Sequence, residues 1–185
     1  MTTRRQYLVN IPGLFLLSAT LLGQNFWDGK DYRQWTSDEV SMLTSNSPWS
    51  KKLNDLTITW LTALPVKQAL LKERLEAGGI LADSAEQIMG TEEEYYAIGI
   101  TGLPADRSDD LTEVSLKVEN KAVIKPTNGS FQPRGRTVDV MVIFPRTAPI
   151  IIDDGQVEVI LKLGSEEMGT KFLLKDMVYK GKLEL

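Results

Sequence analysis

The sequence predicts an α+β fold: a mainly antiparallel β-sheet or sandwich of about seven or eight short strands, with two or three helices near the N-terminal half. Three observations carry that reading. Residues 137–144 alternate and then turn fully apolar, as a central strand does, until Pro145 removes a ladder donor. The C-terminal quarter repeats short apolar runs separated by Gly-containing turns. The helical signals, by contrast, gather between residues 36 and 89.

In order along the chain, residues 1–24 read as a signal peptide. Arg4 and Arg5 supply a positive start, and residues 11–23 form a 13-residue apolar stretch, too short for a comfortable membrane span. Thr3-Arg-Arg-Gln-Tyr-Leu8 also fits the twin-arginine export pattern. Residues 25–185 then form a single β-rich domain with no stable membrane span after cleavage. Trp27, Tyr32 and Trp35 precede Thr36-Ser-Asp-Glu39, a capping box that opens a helix ended by Ser45-Asn-Ser-Pro48. Residues 56–63 alternate Thr with Leu56, Ile58 and Trp60, which predicts a strand with one buried face. Pro65 opens the next helix near its first position, and Gly78-Gly79 closes it. A short helix follows over 83–89.

Residues 95–101 predict a second strand, running out at Gly102-Leu-Pro104. Residues 106–110 are the most polar loop. Short strands are expected over 114–118 and 122–125, and a loop over 126–135 leads into the central strand. After it, 149–152 reads as a strand joined through Asp153-Asp154-Gly155 to 156–163 as a hairpin, because Gly takes positive φ without steric cost. A turn over 164–169 and strands over 171–179 and 182–185, separated by Lys180-Gly181, complete the pattern.

Composition narrows the chemistry. The formal charge is -4, and removing Arg4 and Arg5 with the leader gives -4 - 2 = -6. A mildly acidic chain without a basic run offers nucleic acid no electrostatic footprint. There is no Cys and no His. Thiolate nucleophiles, disulfides and Ser-His-Asp or Cys-His catalysis are therefore excluded, and with them the commonest transition-metal ligand. Export without disulfides suits a bacterial envelope protein, periplasmic or secreted. Glycine-rich phosphate loops and the Gly-x-Ser-x-Gly elbow are absent from the sequence. No cofactor and no catalytic residue is expected.

Two groups remain as candidate sites. Trp27, Trp35 and Trp49 could form an exposed sugar-binding platform, or they could close one end of a β core, where each buries a large apolar area. Asp106, Asp109 and Asp110, with Glu113 close by, could supply hard oxygen ligands to calcium. The simpler alternative is a helix start with Asp110 as cap and Glu113 three residues on. A carboxylate enzyme would need one acid from 106–113 and another from elsewhere, such as Glu39 or Asp139.

Several phrases resemble an uncharacterised family of exported bacterial proteins of acidobacterial type: Ser47-Pro-Trp-Ser-Lys-Lys52, Ala63-Leu-Pro-Val-Lys-Gln-Ala-Leu70, Tyr95 through Pro104, Val140-Met-Val-Ile-Phe-Pro-Arg146 and the closing stretch from Lys171 to Leu185. A weaker similarity is to GWxTD-domain proteins, whose pentapeptide this chain lacks. The resemblance implies an exported single domain and carries over no activity. The resulting expectation is a non-enzymatic binding or structural module of the envelope, with an envelope protein or a glycan as partner. Two alternatives are a carboxylate-based enzyme acting on a glycan, and an assembly subunit pairing through a sheet edge or the helix from Thr36.

Overall fold

The computed structural model describes residues 25–79, 89 and 93–185. The leader over 1–24 and the short helix expected over 83–89 lie outside the described residues, except for Met89. The fold is α+β, and its strand pairs are all antiparallel.

The chain begins with a short helix, α1 (Phe26–Gly29), and a 3-10 turn over Tyr32–Gln34. Helix α2 (Ser37–Ser45) starts on the expected capping box. Thr36 Oγ1 accepts from the Glu39 N–H at 3.2 Å, and Glu39 Oε2 accepts from the Thr36 N–H at 2.7 Å. Two orphan amides at the helix start are thereby satisfied. A hairpin follows, β1 (Ser50–Leu53) and β2 (Leu56–Trp60), turning at Asn54, whose φ is 53°. Helix α3 (Leu64–Glu76) has its proline at the start, and Gly78 at φ 69° ends it.

The remaining strands are β3 (Tyr95–Pro104), β4 (Leu111–Val118), β5 (Asn128–Arg134), β6 (Thr137–Pro145), β7 (Gln156–Leu163), β8 (Glu166–Leu173), β9 (Val178–Tyr179) and β10 (Lys182–Leu183). One sheet has five strands in the order β1-β2-β3-β6-β5, a second has three in the order β4-β7-β8, and β9-β10 form a small hairpin. The 3-10 turn over Ala105–Asp110 carries the chain from the larger sheet to the smaller. The sheets face each other across one buried apolar cluster. The Trp60 ring from β2 meets the Phe172 ring from β8 edge-on at 6.0 Å. Strict alternation explains β7: Val157, Val159, Leu161 and Leu163 are buried, and the residues between them are half-exposed.

Two strands of the larger sheet differ sharply. In β3, Tyr96 through Ile100 are all buried, because Leu61 lies over Gly99 on the second face. In β5, every residue is exposed. Gly129, Phe131 and Pro133 pair with the buried Val142, Val140 and Val138, yet Phe131 is 53% exposed. Its free edge is also poor in donors. Pro133 has no N–H, so it sits where the backbone faces away from β6. Gly129 is in the same outward phase, and its N–H is taken at 2.8 Å by Asn128 Oδ1. Only the Phe131 N–H remains in that row. Such blunting keeps an edge strand from recruiting another chain.

Several expectations are corrected. Residues 149–152 make no strand: Ile152–Asp154 is a 3-10 turn, and β7 pairs with β4 and β8. Gly155 does take φ 72°, but to leave that turn. Tertiary pairing overrides the local hairpin signal here, because β7 fills the centre of the smaller sheet. The loop expected over 126–135 is largely β5. The helix start at Asp110 is instead the end of a 3-10 turn running straight into β4. The turn at Gly164 is tight, and Gly169 lies within β8, where a Cβ would sit 3.0 Å from Glu158 Oε1. The single strand expected over 171–179 is broken by a 3-10 turn at Leu174–Asp176.

Candidate functional site

The aromatic N-terminal segment forms the closed end of the core. Trp27, Trp35 and Trp49 are 6%, 2% and 0% exposed. Phe26 stacks edge-on against Trp27 at 4.9 Å and against Trp35 at 5.8 Å, and Trp27 meets Trp49 at 5.6 Å. The exposed platform read from these three residues is therefore corrected: Trp27 packs on Trp49, and Trp35 packs on Phe26 and Tyr32. Burial of these large rings against the β core outweighs display. Trp49 Nε1 donates to the Glu184 carbonyl at 2.9 Å. The indole N–H groups of Trp27, Trp35 and Trp60 are buried with no hydrogen-bond partner among the described residues.

Of these three, Trp27 borders a surface hollow of about 670 Å³. Four pieces of chain build it. Asn25 and Asp28 flank Trp27 around α1; Asn46, Ser47 and Pro48 come from the end of α2; Lys51 comes from β1; Leu173, Lys175, Asp176 and Val178 come from the passage between β8 and β9. Some of these polar groups are already committed. Ser47 Oγ donates to the Leu43 carbonyl at 2.8 Å, Asp28 Oδ1 accepts from the Lys180 N–H at 3.3 Å, and Lys51 Nζ donates to the Lys171 carbonyl at 2.8 Å. Asn46 caps α2 through its backbone N–H, which reaches the Met42 carbonyl at 2.9 Å. That leaves its side-chain amide uncommitted among the described residues, and Asn25, at the start of α1, makes no side-chain cap.

The hollow is electrically balanced. Asp28 and Asp176 match Lys51 and Lys175 in number. Its apolar part is Pro48, Val178 and Leu173, the last 40% exposed. Uncommitted amides that both donate and accept, beside a patch of aliphatic surface, form the chemistry that matches a neutral polyhydroxyl ligand. The volume lies within the range of small-molecule sites, roughly 300–1,000 Å³.

Asp106, Asp109 and Asp110 sit exposed along the 3-10 turn that links the sheets. Asp110 Oδ2 accepts from Arg107 Nε at 3.3 Å. Among the described residues no three acidic side chains converge in a way that could hold a metal ion. The calcium reading is corrected accordingly. A turn that spreads its carboxylates over an exposed surface has one of them answered by an arginine and no shared centre.

The other carboxylates show what burial and pairing do. The hydrogen bond from Lys30, at 2.6 Å, holds Glu39 below the ordinary carboxylate range, with the Thr36 N–H adding to it. The Lys162 ammonium at 2.9 Å does the same to Glu113. Burial pushes Asp154 up, but Lys121 at 2.6 Å and the Ile151 N–H outweigh it and leave the net shift downward. Asp139 is paired with Arg134 Nε at 2.9 Å.

No protein-family model, no curated protein and no solved structure matches this chain. The site therefore stands on its own geometry. Sequence reasoning singled out Trp27 but missed Asn25, Asn46, Leu173 and Asp176. Asn25 precedes α1, Asn46 follows α2, Leu173 ends β8 and Asp176 ends the next 3-10 turn, and only the fold brings these element ends together.

Proposed function

We propose that this chain is a non-enzymatic, glycan-binding module of the bacterial envelope, and that the hollow beside Trp27 takes a neutral stretch of sugar. The single observation that carries the reading is a charge-balanced hollow of about 670 Å³ with Trp27 on its border and two asparagine amides that are uncommitted among the described residues. The leader read over 1–24 supports an envelope location. Glu39, Glu113 and Asp154, each held toward its ionised form by a lysine, do not border the hollow.

Calorimetric titration with chitotriose, cellotriose and maltotriose tests the ligand. We expect saturable binding of at least one, weakened about fivefold or more by Asn46→Ala, whose exposed side chain is not part of the core. No saturation by any of the three at millimolar concentration would defeat the reading. Intact mass and cell fraction in the native host test the location. Loss of roughly the first 23 residues, with the product outside the cytosol, is the expected outcome. An uncut cytosolic chain would rule out the envelope.

A further inference from the structure

We propose a second binding site, for a small carboxylate, in the cleft at the start of α3, with Arg146 as its principal donor. The cleft holds about 320 Å³ and is bordered by Thr62, Leu64, Lys67, Arg146, Lys182 and Glu184, among others. A second hollow adjoins it across Arg146, bordered also by Glu94, Pro145 and Thr147. It shares no bordering residue with the hollow beside Trp27.

The argument begins with how Arg146 is held. Pro145 ends β6, and Arg146 follows it, half-buried. Its guanidinium carbon lies 4.7 Å from the centre of the Tyr96 ring, and one terminal nitrogen donates to the Glu93 carbonyl at 3.0 Å. Tyr96 is itself fixed: its hydroxyl accepts from the Ile150 N–H at 2.8 Å, and its ring packs edge-on against Trp60 at 5.7 Å. A rigid aromatic ring and a neutral carbonyl therefore orient the guanidinium without cancelling its charge. No described carboxylate lies within ion-pair distance of Arg146.

The acids that could have answered it are in use. Glu93 pairs with Lys67 at 3.3 Å, and Glu184 Oε2 accepts from the Leu64 N–H at the start of α3 at 3.4 Å. The charged side chains around Arg146 are of both signs, Lys67 and Lys182 with Glu93, Glu94 and Glu184, so Arg146 is distinguished by its orientation and not by a net charge of the cleft. A pre-oriented fork of donors with no described carboxylate beside it matches one planar carboxylate better than a spherical or multiply charged anion. Two sources share that chemistry: a sugar acid, which would extend the glycan reading, and the terminal carboxylate of a peptide.

Two-dimensional NMR titration of the full chain distinguishes them, with glucuronate, N-acetylalanine and inorganic phosphate as separate probes. We expect saturable shifts at the Arg146 side-chain Nε–H and at the Thr62 and Lys182 amides with at least one carboxylate. Arg146→Gln should weaken that binding at least tenfold, and Arg146→Lys, which keeps the charge and loses the fork, should fall between. Asn46→Ala should leave it unchanged. Saturation by glucuronate alone assigns a sugar acid, and by N-acetylalanine alone a peptide terminus. The proposal is overturned if neither carboxylate saturates in the native protein, if phosphate binds as tightly as the carboxylates, or if Arg146→Gln keeps a native spectrum and full affinity. Should Arg146→Gln unfold, the native titration and the Arg146→Lys variant still decide.

Discussion

β3 and β5 belong to the same sheet, separated only by β6, yet they are built on opposite terms. β3 is buried on both faces across Tyr96 to Ile100, while β5 is exposed at all seven of its residues. Both make antiparallel ladders with β6. Hydrogen bonding is therefore common to the two, and burial is what separates them. The contrast teaches that the stability of this sheet resides in side-chain packing at its centre, and that its rim serves mainly to satisfy the backbone of β6 and to end the sheet safely.

The strongest way to break the contrast is to empty the centre. Ile98→Ala, at a position with no exposed surface, should cost about 2–5 kcal/mol in urea unfolding. A loss below 1 kcal/mol would mean that β3 is not where the stability lies. Next in size is Gly102→Ala, at the bulge that follows the buried run. Gly102 has φ 88°, and a Cβ there would sit 2.7 Å from the Asp55 carbonyl oxygen. Strain and overlap together should cost about 1–3 kcal/mol, read as a lowered thermal midpoint.

A smaller effect belongs to the cap of α2. Thr36→Ala should cost about 1 kcal/mol. The cap is also pH-dependent. Glu39 titrates lower in the folded chain than in the unfolded one, so its contribution is complete above the ordinary glutamate pKa and is lost as pH falls through the folded value. Urea midpoints at pH 7 and pH 3 should therefore show Glu39→Gln destabilising the chain at the higher pH and much less at the lower. The smallest effect on stability is expected at the rim: Phe131→Ala should stay within about 0.5 kcal/mol. Restoring donors there sharpens the comparison. Asn128→Ala with Pro133→Val should leave stability almost unchanged but give concentration-dependent association in sedimentation, because the outward N–H row is then open. A monodisperse double variant would show that the edge was never guarded by these residues.

The legibility of the chain follows the same division. The capping box at Thr36 and Glu39, the proline at the start of α3 and the apolar strand over 137–144 are local patterns, and each forms as its residues dictate. β5 was illegible because its Asn-Gly and Pro-Arg steps read as a loop, and only β6 makes them a strand. The apolar run at Ile150, Ile151 and Ile152 misled in the other direction: Ile150 is buried, but the next two are about half exposed on a 3-10 turn. Apolar character alone does not assign a strand when no partner edge is free. The hollow beside Trp27 was legible only in that one residue. Its remaining border comes from segments up to about 150 positions away in sequence, such as Asp28 and Val178, and no spacing rule links them.

The four tryptophans have an optical consequence. All are buried, Trp27 and Trp49 lie within 5.6 Å of each other, and Trp60 stands 5.7 Å from Tyr96. Three of the indole N–H groups have no acceptor among the described residues. The folded chain should accordingly emit at the blue end of the tryptophan range, receive excitation energy from Tyr96, and shift to the red as the rings meet water. The packing that hides these rings from solvent thus gives the protein an internal light gauge of its own integrity, readable without any added label.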